Sequence, residues 1–216
     1  MKRICALLLC GALLFPQGAG AADAWPAWAE EALSWGREAS ISQEFLSQPE
    51  ETVTRGMAAQ LLYEAAGKPA VSGECSFTDV SGDNADAVTW AAEQGYLTGV
   101  GDGKYEPGRS VTRQEFAAIL WRRAGSPGAA VQGLDQFRDA GAVGEWARTP
   151  VLWALQAGVM AGQSGGRLAP TGTITAAEAR VMLERAHTLP DVTRPRADLA
   201  ALTAAHRPIG SQGEAD

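Results

Sequence analysis

The sequence predicts an all-α protein built from three helix–loop–helix repeats, and three observations carry that reading. First, residues 99–116, "GVGDGKYEPGRSVTRQEF", return as residues 162–179, "GQSGGRLAPTGTITAAEA", at a constant spacing that matches Gly103 to Gly166. Second, apolar residues on both sides of this loop recur at helical spacing. Third, Thr112-x-x-Glu115 and Thr175-x-x-Glu178 are capping boxes, each opening an apolar helical stripe. Repeats of this length bury too little surface alone and are stable by packing on one another, so one body of three units is expected.

Residues 1–22 read as a secretory signal. Lys2 and Arg3 precede the apolar run "ICALLLCGALLF", and Ala19-Gly20-Ala21 offers a small-residue cleavage site. The run is too short to span a bilayer, so an exported protein without a membrane span is expected. Bulky Leu9 before Cys10, and the apolar residues after it, argue against lipidation there.

Residues 23–68 form a worn first repeat. Its Trp35 and Thr54 answer to Trp90 and Thr112, its connecting loop is shorter, and Leu33, Met57, Leu61 and Leu62 supply the apolar positions. Residues 75–126 are the second repeat. "ADAVTWAAEQGYL" places Ala87, Val88, Ala91 and Ala92 on one face, and Gly95 marks the helix stop. The stretch 99–110 is turn chemistry, and a second helix runs from Arg113 to about Arg123 on Phe116, Ile119 and Leu120. Residues 135–188 repeat this with Val151, Leu152 and Leu155, then Val181, Met182 and Leu183. Trp35, Trp90 and Trp153 fall at one helical position and read as core anchors. Residues 189–216 form a tail with room for a short helix at "ADLAALTAAH" and a disordered end. No cargo domain is visible in the chain.

Composition removes several function classes. The chain carries a net charge of −7, about −9 once Lys2 and Arg3 leave with the signal, and so lacks the basic face that nucleic acid requires. The glycine-rich loop is not a phosphate cradle: Tyr105 follows Lys104 where Ser or Thr is needed, and Thr98 stands where the first glycine belongs. Beyond the signal Cys75 is the lone cysteine, so no disulfide forms within the chain. His187 and His206 sit in no metal-ligand pattern, and no nucleophile–base pair is set by spacing, so no metal, cofactor or catalytic residue is assigned.

One residue type defies local preference. Arg55 and Arg113 occupy the first position of their helices, where a cation opposes the positive end of the helix dipole at about 0.3–1 kcal/mol. Free backbone N–H groups and a guanidinium fork at one place form an anion site, and on that reading removing Arg113 costs binding and not stability.

The run "FTDV…AVTWAAEQGYLTGVGDGKYEPGRSVTRQEFAAILWR" resembles an S-layer homology repeat, whose signature ends in an Ile-Thr-Arg-Ala-Glu-like motif. Here that motif stands as "VTRGM" (53–57), "VTRQE" (111–115) and "ITAAE" (174–178). The resemblance implies one pseudo-threefold body with a central helical bundle. It also implies that grooves between neighbouring repeats bind a secondary cell-wall polymer on peptidoglycan, ending in a pyruvylated, hence anionic, sugar. The implied glycan-binding residues are the motif arginines Arg55 and Arg113, the early aspartates Asp79 and Asp139 (with Asp23 a third), and the early tryptophans Trp28 and Trp146. The loop glycines Gly99 and Gly162 complete the set, with Lys104 bordering the groove. Ala176 replaces the third arginine and Asp83 stands near the second tryptophan position, so at most two grooves keep an arginine. A non-catalytic wall-anchoring module follows, with a protein–protein adaptor at the envelope as the alternative.

Overall fold

The computed structural model describes residues 25–42 and 48–189. The expected signal (1–22), Asp23 and most of the expected tail, His206 included, lie outside the described residues. Among the described residues there are six α-helices and no sheet. They are α1 (Glu30–Glu38), α2 (Arg55–Ala65), α3 (Ala85–Glu93), α4 (Arg113–Arg123), α5 (Arg148–Gln156) and α6 (Ala176–Thr188). A 3₁₀ turn precedes each first helix, at Ala27–Ala29, Gly82–Asn84 and Glu145–Ala147. Helix α4 covers the predicted Arg113–Arg123 span.

The helices pair between repeats. Helix α2 packs on α3, α4 on α5, and α6 returns to α1, so the chain closes into a ring of three seams. Three short segments leading into α2, α4 and α6 meet at the centre. Val53 N–H donates to Ile174 O, Ile174 N–H to Val111 O, and Val111 N–H to Val53 O, at 2.9–3.0 Å. This cycle is the pseudo-threefold axis, and its three side chains are at most 1 % exposed. The main core spreads outward from it over the α2/α3 and α4/α5 seams, and Trp90 and Trp153 anchor it there.

Local chemistry accounts for the element ends. Thr112 and Thr175 each accept from the N–H three residues on, while Glu115 and Glu178 reach back to complete both boxes. Thr54 caps α2 through Met57 N–H alone, since Met57 stands where the glutamate belongs. Gly95 and Gly158 follow α3 and α5 at positive φ, and Ser40 takes that place after α1 at φ 57°, a strained conformation for a residue with a Cβ.

The α6/α1 seam differs. A small separate cluster of Ala29, Ala32, Ala177 and Val181 fills it, with Trp25 packed alongside. Arg180 occupies the site of Ala117 in the second repeat, and its guanidinium lies directly over Gly36, which replaces Ala91 and Ala154. Arg180 is fully buried and has no hydrogen-bond acceptor among the described residues, and burial pulls its pKa down to about 10, so it is still charged at neutral pH.

Candidate functional site

Two equivalent grooves lie on the ring. The first, of about 230 Å³, runs between Arg55 of repeat one, the loop at Thr98–Val100, Arg122 of α4 and Trp146 of repeat three. The second, of about 520 Å³, runs between Arg113, the loop at Ala161–Ser164, Arg185 of α6 and Trp28 of repeat one. In each, the arginine, loop and tryptophan come from three different repeats. Trp28 and Trp146 are both 57 % exposed and present an indole face to their grooves.

Arg113 spans the α4–loop junction. Its Nε donates to Leu168 O at 3.1 Å, one terminal nitrogen donates to Ala161 O at 2.8 Å, and the other pairs with Glu178 at 2.6 Å. Arg55 does the same one repeat earlier, donating to Tyr105 O at 2.7 Å and Thr98 O at 2.6 Å. Its guanidinium also lies 4.3 Å from the Tyr105 ring centroid, whose hydroxyl donates back to Arg55 O. Both arginines are at most 8 % exposed, and burial lowers the pKa of each.

This corrects the expected anion site at the helix start. The first amides of each second helix are consumed by the next repeat. Arg55 and Gly56 donate to Arg109 O and Pro107 O; Arg113 and Gln114 donate to Gly172 O and Pro170 O; Ala176 and Ala177 donate to Glu51 O and Pro49 O. With those donors spent, each guanidinium donates instead to two carbonyls of the next repeat's loop, and that of Arg113 also pairs with Glu178. Each arginine is a staple that sets the groove wall.

The aspartates serve the same loops. Asp79 accepts from Tyr105 and Glu106 N–H, each at 2.8 Å, and Asp139 accepts from Leu168 and Ala169 N–H at 2.8 and 2.9 Å. Neither lines a groove, and Lys104 sits at the loop tip facing Asp79. Gly99 and Gly162 are required by close approach: a Cβ at Gly99 would lie 2.7 Å from Phe77 and 2.8 Å from Lys104 O, and one at Gly162 2.5 Å from Phe137.

The aspartate caps make an acid-sensitive element. The Tyr105 and Leu168 amides, first among several donors, hold Asp79 and Asp139 below the ordinary 3.8. Folded values below the unfolded one give stability that is complete above pH about 4 and lost as pH falls through the folded values. The melting temperature should therefore drop below pH 4, and an Asp79→Asn, Asp139→Asn double variant should show a smaller drop. Parallel acid curves for both chains would place the acid-labile carboxylates elsewhere.

Of the sequence candidates, Arg55, Gly99 and Trp146 share the first groove, and Arg113, Gly162 and Trp28 the second. Sequence reasoning missed Arg122 and Arg185, which hang from the last turns of α4 and α6 over the grooves. Their signal was present: the repeat spacing that matches Gly103 to Gly166 also matches Arg122 to Arg185. At the third equivalent place the sequence puts Ala176 for the arginine, Asp83 for the tryptophan and Glu64 for Arg122. Glu64 is buried, accepts from Ser42 N–H and Gln60, and pairs with Lys68 at 3.1 Å. Burial opposes its ionisation, but these donors outweigh it and leave its pKa lowered.

Comparison with known proteins agrees with this geometry. Residues 76–117 and 136–179 match the S-layer homology domain, covering both glycine loops and both capping boxes. The chain carries two S-layer homology repeats. The match does not include α1 and α2, which pack into the ring against α6 and α3. The chain is 28 % identical over 149 residues to a cellulosome-anchoring protein of Acetivibrio thermocellus, covering 65 % of this chain and 33 % of that one. It is 31 % identical over 155 residues to a surface-layer 125 kDa protein of Lysinibacillus sphaericus, covering 69 % and 13 %. A third relative, an amylopullulanase of Thermoanaerobacterium thermosulfurigenes, is 30 % identical over 142 residues, or 8 % of its length. The chain thus spans a third or less of each relative. What these support in common is a wall-anchoring module, and no helix among the described residues is long and apolar enough to cross a membrane.

Proposed function

We propose that this S-layer homology ring is a non-catalytic anchor at the cell wall, and that its two grooves bind an anionic secondary wall polysaccharide ending in a pyruvylated sugar. The observation that carries the reading is the repeated pairing of a half-exposed tryptophan with a rim arginine, Trp146 with Arg122 and Trp28 with Arg185. An indole face stacks on the C–H face of a sugar ring, and an arginine fork takes a carboxylate in two hydrogen bonds. The body around them is acidic, so these positive rims stand out and favour an anionic polymer. The staples Arg55 and Arg113 hold the loops in place, and Arg122 and Arg185 read the charge.

Binding to purified wall sacculi, with and without their secondary polymer, tests this. Retention should need the polymer. Trp28→Ala with Trp146→Ala should abolish retention, each substitution costing about 1–2 kcal/mol. Arg122→Ala and Arg185→Ala should each weaken binding by about 1.5–3 kcal/mol at unchanged stability. Retention that ignores polymer removal would defeat the wall-polymer reading and favour a protein partner at the envelope.

A further inference from the structure

The two grooves are built alike and charged unlike. The repeat spacing that matches Gly103 to Gly166 sets Arg109 against Gly172, Glu106 against Ala169 and Val100 against Gln163. In the first groove Arg109 donates from Nη2 to Glu115 Oε1 at 2.7 Å and pairs through Nε with Glu106 at 3.2 Å. The capping glutamate is thereby satisfied on both oxygens, since Glu115 Oε2 accepts from the Thr112 N–H and hydroxyl. In the second groove Gly172 offers no such cation. Glu178, the counterpart of Glu115, accepts instead from Arg113 Nη1 at 2.6 Å and from Gln163 Nε2 at 2.9 Å.

That exchange decides what each motif arginine keeps free. Arg113 engages all three guanidinium nitrogens, with Leu168 O, Glu178 and Ala161 O. Arg55 engages two, with Tyr105 O and Thr98 O, and its Nη1 bonds to none of the described residues. Arg122 lines the same groove, and its pKa is lowered first by burial and then by the charge of Arg55. Two guanidiniums thus repel one another beside a space of about 230 Å³, and an anion seated there would relieve both. The second groove is more than twice as large, at about 520 Å³, and beyond Arg113 the arginine lining it is Arg185. Its glutamate already occupies the place where a ligand's carboxylate would meet the staple.

We propose that Arg109 makes the grooves unequal: by holding Glu115 it leaves Arg55 Nη1 and Arg122 as a paired seat for one carboxylate, so the first groove takes the acidic end of the polymer and the second a less charged stretch. This rests on the wall-polymer reading above. Arg109 is a positioning residue that acts through Glu115. Full-length Trp28→Ala and Trp146→Ala chains keep one groove each, and calorimetric titration compares a pyruvylated disaccharide with its depyruvylated counterpart. The first groove should favour the charged disaccharide by about tenfold or more, the scale of a charge-assisted hydrogen bond, and the second by about threefold or less. Arg109→Ala in the Trp28→Ala chain should bring the first ratio down to the second, and Arg109→Lys, which keeps a cation on Glu115, should restore it. A merely structural Arg109 would weaken both disaccharides alike; that result, or equal ratios in the two single-groove chains, would overturn the proposal. Should neither disaccharide bind, the wall-polymer reading fails on its own, and titration of the wild-type chain with pyruvate decides the inequality. The indole N–H resonance of Trp146 shifting ahead of that of Trp28 upholds it, and equal movement of both, or none, overturns it.

Discussion

A chain lacking residues 135–188 is expected to lose cooperative thermal unfolding altogether. The deletion removes Ile174 from the central cycle, leaving Val53 N–H without its acceptor and Val111 O without its donor. Each such buried orphan costs about 1–3 kcal/mol. It also removes α5 from α4 and α6 from α1, so two of three seams expose their apolar faces, and Arg113 loses Leu168 O, Ala161 O and Glu178 together. These losses exceed the typical net stability of a domain of this size, about 5–15 kcal/mol. The full chain should show one calorimetric transition whose enthalpy equals the van't Hoff value, and the deleted chain a shallow, non-cooperative trace. A sharply melting two-repeat fragment would contradict a closed ring.

The second large effect belongs to Arg113. Arg113→Ala should destabilise by about 3–5 kcal/mol, the range for breaking a buried charge pair, because Glu178 and two loop carbonyls lose their donor. Arg113→Lys should recover little of this, since one ammonium cannot reach three acceptors that a planar fork spans. Urea unfolding of both variants measures it. Arg55→Ala should behave alike, losing Tyr105 O, Thr98 O and the contact with the Tyr105 ring. The comparison with Arg122→Ala is decisive: the staple variants should lose stability, and the rim variant should lose binding alone. An Arg113→Ala chain as stable as wild type would show that the loop holds itself.

Much of the fold was legible because its signals are local. Capping boxes at Thr112 and Thr175, the glycine stops at Gly95 and Gly158, and apolar residues at helical spacing depend on neighbours within a turn or two. The site was legible in membership and less so in role. Arg113 at the first helical position looks like a cation opposed to the dipole while only its own helix is considered. Its physics changes once the carbonyls of Ala161 and Leu168, contributed by the next repeat, surround it. Arg122 went unnoticed for the opposite reason: an arginine in a last helical turn suits the dipole and draws no attention.

The sequence by itself determined the helical repeat pattern, the Arg113–Arg123 helix, the capping boxes and the loss of the third arginine at Ala176. These follow from periodicity and from local hydrogen bonding within one repeat. Only the tertiary structure decided the ring: which helices pair across repeats, how Val53, Val111 and Ile174 close a cycle of hydrogen bonds, and that each groove draws on three repeats. It also decided that the helix-start amides are spent on neighbouring carbonyls. Backbone groups carry no sequence label, so a hydrogen bond between Arg113 N–H and Gly172 O leaves no trace in the residue types that form it.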